Sequence, residues 1–61
     1  MSRYSVKNTT KNLYVKQVSR FAPVKLVPKE DRTIFYEEFE AEALQAELDD
    51  TEEDCYTVIA E

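Results

Sequence analysis

The sequence predicts an α+β fold: a small, mostly antiparallel β-sheet of three to four strands with one α-helix packed on it, in the order β-β-β-α-β. Three observations carry this. Glu38–Asp50, EFEAEALQAELDD, is filled with good helix formers and has no β-branched residue, glycine or proline inside it. Upstream of it, short runs alternate apolar and polar residues with the period of a half-buried strand. Downstream, Cys55–Ala60, CYTVIA, is an apolar run of strand length. The 61 residues make one domain, with a basic β-rich half over 1–29 and an acidic helix-plus-strand half over 30–61. A chain this short buries only about 60% of its unfolded surface, so a handful of side chains must carry its stability.

Each element has its own justification. Arg3–Lys7, RYSVK, sets Tyr4 and Val6 on one face of a strand. Asn8–Asn12, NTTKN, is polar and turn-rich, and its length suits a hairpin loop. Leu13–Val18, LYVKQV, resumes the alternation with Leu13 and Val15 on one face and Tyr14 and Lys16 on the other. Ala22–Pro28, APVKLVP, is expected to be a short extended segment with Val24 and Leu26 inward. Pro23 and Pro28 bound it, which favours an edge position, because proline cannot donate to a ladder. Lys29–Asp31 is a turn. Arg32–Tyr36, RTIFY, is β-branched and aromatic and reads as a further strand; a helix beginning near Asp31 is the alternative.

Within the helix, Ala41, Leu44 and Leu48 fall on one narrow stripe that should face the sheet. Phe39, Ala43 and Ala46 form a second seam roughly opposite. That seam suits a docked partner or another copy of the chain, although alanine on a solvated helix face gives the same pattern. Glu37, Glu38, Glu40 and Glu42 favour a helix start here, against the positive end of the dipole. Asp49, Asp50 and the acids at 52–54 crowd the opposite end, so the helix should fray by about Asp50 and the acidic run should form a loop. The terminal strand is apolar on both faces, which predicts a central place in the sheet. The expected core is Val6, Leu13, Val15, Leu26, Phe35, Leu44, Leu48, Tyr56 and Val58. There is no glycine, so any turn that needs positive φ falls to Asn8, Asn12, Asp31, Asp49 or Asp50.

Charge is the strongest pattern. Residues 1–29 carry seven basic side chains and no acid, while 30–61 carry Arg32 alone against all thirteen acids, for a net charge of −5. Such asymmetry marks an interaction surface unless the two halves interleave and their fields cancel. Three functional readings follow from it. The basic hairpin could bind nucleic acid, with Tyr4, Tyr14 and Phe21 as stacking groups, but thirteen carboxylates repel the same phosphates. The acidic helix could mimic a phosphate track for a basic cleft on another protein. Or the basic end of one subunit meets an acidic surface of a neighbour, as in assembly. The assembly reading is the leading one: a non-enzymatic structural or adaptor protein engaging a protein partner or another copy of itself. Acidic DNA mimicry is its first alternative and nucleic-acid binding its second. Its candidate partner-binding residues are Phe39, Ala43 and Ala46 on the helix and Lys7, Lys11, Lys16 and Arg20 in the basic half.

Chemistry finds little support. Histidine is absent and Cys55 is alone, so no histidine can ligate a metal, act as a base or activate the thiol. Glu53 and Asp54 would raise the thiol pKa, and Cys55 is expected as a buried small residue of the last strand. Asp49–Asp54, DDTEED, lacks the spacing and central glycine of an EF-hand loop. Glycine-rich phosphate loops are excluded. No cofactor, metal or catalytic residue is expected. Nor is a membrane partner, since no apolar run is long enough to span a bilayer and the N-terminus lacks a signal-peptide core.

The layout as a whole is an opening strand with basic and hydroxyl residues, YSVKNTTK, a short second strand, an aromatic-led helix, FEAEALQAELDD, and a closing strand, CYTVIAE. It resembles the small FluMu-type domain found among proteins of Mu-like prophages. More loosely, it is similar to short accessory proteins of tailed phages that open with a strand, an NTT-type turn, a strand and a proline-bounded strand. The resemblance covers most of the chain and assigns no role to individual residues. What it implies is a phage-encoded, non-enzymatic protein, either part of the virion or acting in the infected cytoplasm, with phage structural proteins among its possible partners.

Overall fold

Residues 2–19, 22–51 and 53–61 are described by a computed structural model. Strands β1 (Tyr4–Asn8), β2 (Leu13–Lys16) and β3 (Lys25–Val27) are followed by one 3-10 turn at Lys29–Asp31, helix α1 (Glu38–Thr51) and strand β4 (Tyr56–Ala60). The strands form one antiparallel sheet in the order β3-β2-β1-β4, with α1 packed against β1 and β4. This is the α+β arrangement that the sequence predicts.

The β1–β2 hairpin turns over Thr9–Asn12, and Asn12 supplies the positive φ, 58°. Asparagine tolerates that region because its short polar side chain bonds locally. Lys7 pairs with Tyr14 and Asn8 with Leu13, and there the two strands part. The Thr33–Phe35 segment fills the fork. The Thr33 amide donates to the Val15 carbonyl at 3.1 Å, and Phe35 and Tyr4 exchange backbone bonds at 2.8 Å. Thr33 Oγ1 also accepts from the Gln17 amide at 2.8 Å. The strand expected over Arg32–Tyr36 is therefore a single bridge at Phe35, because the segment crosses from β2 to β1 instead of running along either.

The last strand also departs from expectation. β4 pairs only with β1 and lies at the edge, opposite β3. Its two-sided apolarity has another origin. Tyr56 and Val58 face the helix, whereas Ile59 lies across from Ser5 on the other face. The register also carries Cys55 away from the helix, just ahead of the strand, and it is exposed where a buried residue was expected. β3 does sit at the other edge, as its flanking prolines require.

The core lies between the sheet and α1. Val6, Val15, Ala41, Leu44, Leu48 and Tyr56 are its buried members, with Tyr4, Val24, Leu26, Phe35 and Val58 packed around them. Leu13, expected here, is half-buried and outside the cluster. It lies at the turn end of β2, beyond the buried cluster. The helix runs one residue past its expected fraying point. Asp49, unfavourably placed at a helix C-terminus, accepts from Gln45 Nε2 at 2.7 Å and from the Tyr56 amide at 3.3 Å, and so links the helix end to the start of β4.

Candidate interaction surface

The pleat and the register sort the strand side chains onto two faces. Tyr4, Val6, Asn8, Leu13, Val15, Leu26, Tyr56 and Val58 share the face that carries α1. The face away from the helix carries Ser5 and Lys7 of β1, Tyr14 and Lys16 of β2, Lys25 and Val27 of β3, and Thr57 and Ile59 of β4. The chain crosses this second face on its way from β3 to the fork: the 3-10 turn packs against β2 and Arg32 lies over the Tyr14 ring.

It is a basic face. Lys16 and Lys25 are direct cross-strand partners, an arrangement that like charges make unfavourable. Lys7 lies one strand over, with its Nζ 5.7 Å from the centroid of the Tyr14 ring. Arg32 reaches the same ring from the loop after the 3-10 turn, its guanidinium carbon 5.9 Å from the centroid. Contacts of this kind contribute about 0.5–1 kcal/mol each at exposed sites.

A clasp marks one margin. Arg32 pairs with the Glu61 carboxylate, which also accepts from Ser5 Oγ at 2.8 Å. Arg32 Nη1 donates to the Lys29 carbonyl at 2.8 Å, while its buried Nε has no acceptor. The bonds from Arg32 and then Ser5 hold the Glu61 carboxyl below the usual glutamate range. The clasp also explains why a serine on this face is fully buried.

A second polar link closes the hairpin turn against the segment before β4. Asn8, fully buried, donates from Nδ2 to Asp54 at 2.9 Å and accepts the Lys11 amide on Oδ1 at 2.8 Å. Asp54 is held below the ordinary aspartate value, chiefly by the Asn8 bond and then by the charge of Lys11, 3.5 Å away.

The helix layer is acidic. Around its axis, the outward side holds Phe39, Ala43 and Ala46, with Glu40 and Glu42 flanking them. Phe39 is 66% exposed. Together with Phe35 and Leu44, Phe39 and Ala43 line an open groove beside the Gln17–Ser19 segment.

The candidate partner-binding residues therefore divide into separate places. Lys7 and Lys16 share the sheet face away from the helix; Lys11 is in the hairpin turn, engaged with Asp54; Phe39, Ala43 and Ala46 lie beyond the helix, on the opposite side of the sheet. Arg20 falls outside the described residues, as does Phe21, a candidate stacking group. Lys25 and Arg32 were not among the candidates, and Tyr14 was considered only as a stacking group. The alternation that places Val24 and Leu26 inward already directs Lys25 outward. Nothing local signals Arg32, whose place depends on Glu61.

No family model, curated protein or solved structure matches this chain. No helix among the described residues is long and apolar enough to cross a membrane.

Proposed function

We propose that this domain is a non-enzymatic structural or adaptor module that engages a protein partner through its charge-polarised surface. The observation that carries this reading is the division of charge between layers: lysines on the sheet face away from the helix, carboxylates on the helix across from it. A surface of two signs steers and orients a partner more than it tightens the complex. The two carboxylates with clear shifts, Asp54 and Glu61, both move down, the reverse of what a general acid needs. The resemblance to small accessory proteins of tailed phages suggests a virion or its assembly as the setting.

The alternatives fit less well. Stacking on nucleobases would use Tyr14, but that ring is already engaged by Lys7 and Arg32. A phosphate mimic calls for a continuous acidic track, and the Phe39, Ala43 and Ala46 seam interrupts this one. Fluorescence-anisotropy titration with labelled single-stranded and duplex DNA, at about 0.15 M salt where the Debye length is about 8 Å, tests the reading. No saturable binding is expected. Low-micromolar affinity that falls steeply with salt would overturn the proposal in favour of a nucleic-acid module.

A further inference from the structure

We propose that the free edge of β4 takes up an extended, basic segment of a partner protein as a fifth, antiparallel strand of the sheet. The inference rests on the protein-partner reading above and gives that partner its chemistry. The two edges of the sheet differ. β3 has three residues, carries Lys25 and is flanked by Pro23 and Pro28, which are protections of an edge. β4 pairs with β1 over five consecutive residues and contains no charge, proline or glycine. Its bond pattern shows which backbone groups are spare. The Thr9 amide donates to the Cys55 carbonyl at 2.9 Å, and the Glu61 amide to the Arg3 carbonyl at 2.8 Å. Antiparallel bonding alternates along a strand, so Thr57 and Ile59 also turn their amides and carbonyls toward β1, while Tyr56, Val58 and Ala60 turn theirs outward. The outward groups of Tyr56 are covered from the helix: its amide donates to Asp49 Oδ1 at 3.3 Å, and its carbonyl accepts from Gln45 Nε2 at 3.4 Å. Among the described residues, none bonds to the outward groups of Val58 or Ala60.

Val58 and Ala60 together offer the docking points of one short strand. In antiparallel pairing each exchanges both of its bonds with the residue opposite, and those opposite side chains point to the helix side of the sheet, as Val58 does. There they meet acid. Gln45 and Asp49 mark the flank of α1 that lies beside β4, and Glu38 and Glu42 fall on the same flank at helical spacing. Both glutamates are exposed, and neither has an ion pair among the described residues. The intervening side chains of the incoming strand fall on the other face, beside Thr57 and half-buried Ile59. The edge therefore selects a segment that alternates lysine or arginine with β-branched apolar residues. Main-chain bonds supply the affinity, and the alternation supplies the specificity. A second copy of β4 fits less well, because it brings its own Glu38 and Glu42 toward those of the first, and like charges brought together oppose docking.

Fluorescence-anisotropy titration of the full chain against a labelled heptapeptide that alternates lysine with valine, at about 0.15 M salt, gives the first test. Saturable binding at or below about 1 mM is expected, and its absence overturns the proposal. Methylating the lysine amides, which face β4, should weaken binding at least about tenfold, whereas methylating the valine amides, which face away, should leave it within about twofold. Equal effects would mean that charge alone holds the peptide, and overturn the proposal. Ala60→Pro removes an outward amide and leaves the bonds to β1 in place, so it should weaken the peptide at least about fivefold. Circular dichroism checks that it folds. If it does not, Glu38→Lys/Glu42→Lys, at exposed positions, should reject the lysine peptide and take up the same peptide with glutamate in place of lysine. Unchanged peptide binding in the variant that folds overturns the proposal. Sedimentation of the parent without peptide decides the competing occupant: self-association that Ala60→Pro abolishes would assign the edge to a second copy and overturn the basic segment. A chain that binds neither peptide nor DNA refutes edge docking and leaves the protein-partner reading standing, whereas low-micromolar DNA binding refutes that reading and this inference with it.

Discussion

Leu48→Ala tests the assignment of the helix's inner stripe. Leu48 is 7% exposed and belongs to the buried cluster with Val6, Val15, Ala41, Leu44 and Tyr56. Truncation removes three carbons from this core, about 2.4 kcal/mol of transfer free energy at about 0.8 per methylene. The space left behind adds a cavity term, bringing the loss to about 2.5–4 kcal/mol. A domain of this length is expected to have about 3–9 kcal/mol in all, so the variant forfeits about a quarter or more of it. At about 4–8 °C per kcal/mol, the melting midpoint should fall by about 10–30 °C. Thermal melts by far-UV circular dichroism give the comparison, with Phe39→Ala as the control. That substitution removes a larger side chain from the same helix, but from a 66% exposed position, and should shift stability by less than about 1 kcal/mol. If Leu48→Ala melts within about 3 °C of the parent, or if Phe39→Ala costs more than Leu48→Ala, the inner and outer faces of α1 are assigned wrongly.

Two further expectations concern the polar links. Asn8→Ala strips partners from the Lys11 amide and the Asp54 carboxylate at a fully buried site, and urea unfolding should show a loss of about 1–3 kcal/mol; a neutral result would mean that water replaces the amide at no cost. Glu61→Gln should lower stability at neutral pH, and the gap between parent and variant carries its own pH signature. The Glu61 carboxyl is held below its ordinary value of 4.5 in the folded protein, so its contribution is complete above that value and disappears as pH falls through the lowered folded one. Denaturation midpoints measured down the acid range should therefore converge; a gap that widens toward acid contradicts the clasp.

The parts of this fold that were legible in the sequence are those fixed by local periodicity. Glu38–Asp50 announced itself by composition, and its buried positions, Ala41, Leu44 and Leu48, follow from the helical repeat alone. The same holds for the alternation that placed Val6 and Val15 inward and Tyr14 and Lys16 outward. What could not be read was the pairing of distant segments. Arg32–Tyr36 has strand composition, yet its place is set by the fork between β1 and β2, which no local pattern reveals. β4 is apolar on both sides, which suggests a central strand, yet it pairs with β1 alone, and the Arg32–Glu61 clasp on neighbouring Ser5 joins parts of the chain that no local pattern connects. The candidate surface was legible in its charges and not in its geometry. The asymmetry between halves was plain in the sequence, but its division into layers depends on the register, which places Lys25 beside Lys16 and leaves Lys11 in a turn with Asp54.

The pairing of β1 with β4 has a consequence for how the chain comes to fold. Tyr4 lies across from Ala60 and Asn8 from Tyr56, so the first strand of the domain waits for its last. The β1–β2–β3 meander can form early, since its loops are short and cheap to close, but closing the long loop to β4 carries an entropy cost before any contact repays it. Until then β1 exposes one unpaired edge. The domain therefore completes its sheet only when its last strand arrives. A domain without glycine and with a single cysteine thus holds together through the pairing of its first strand with its last.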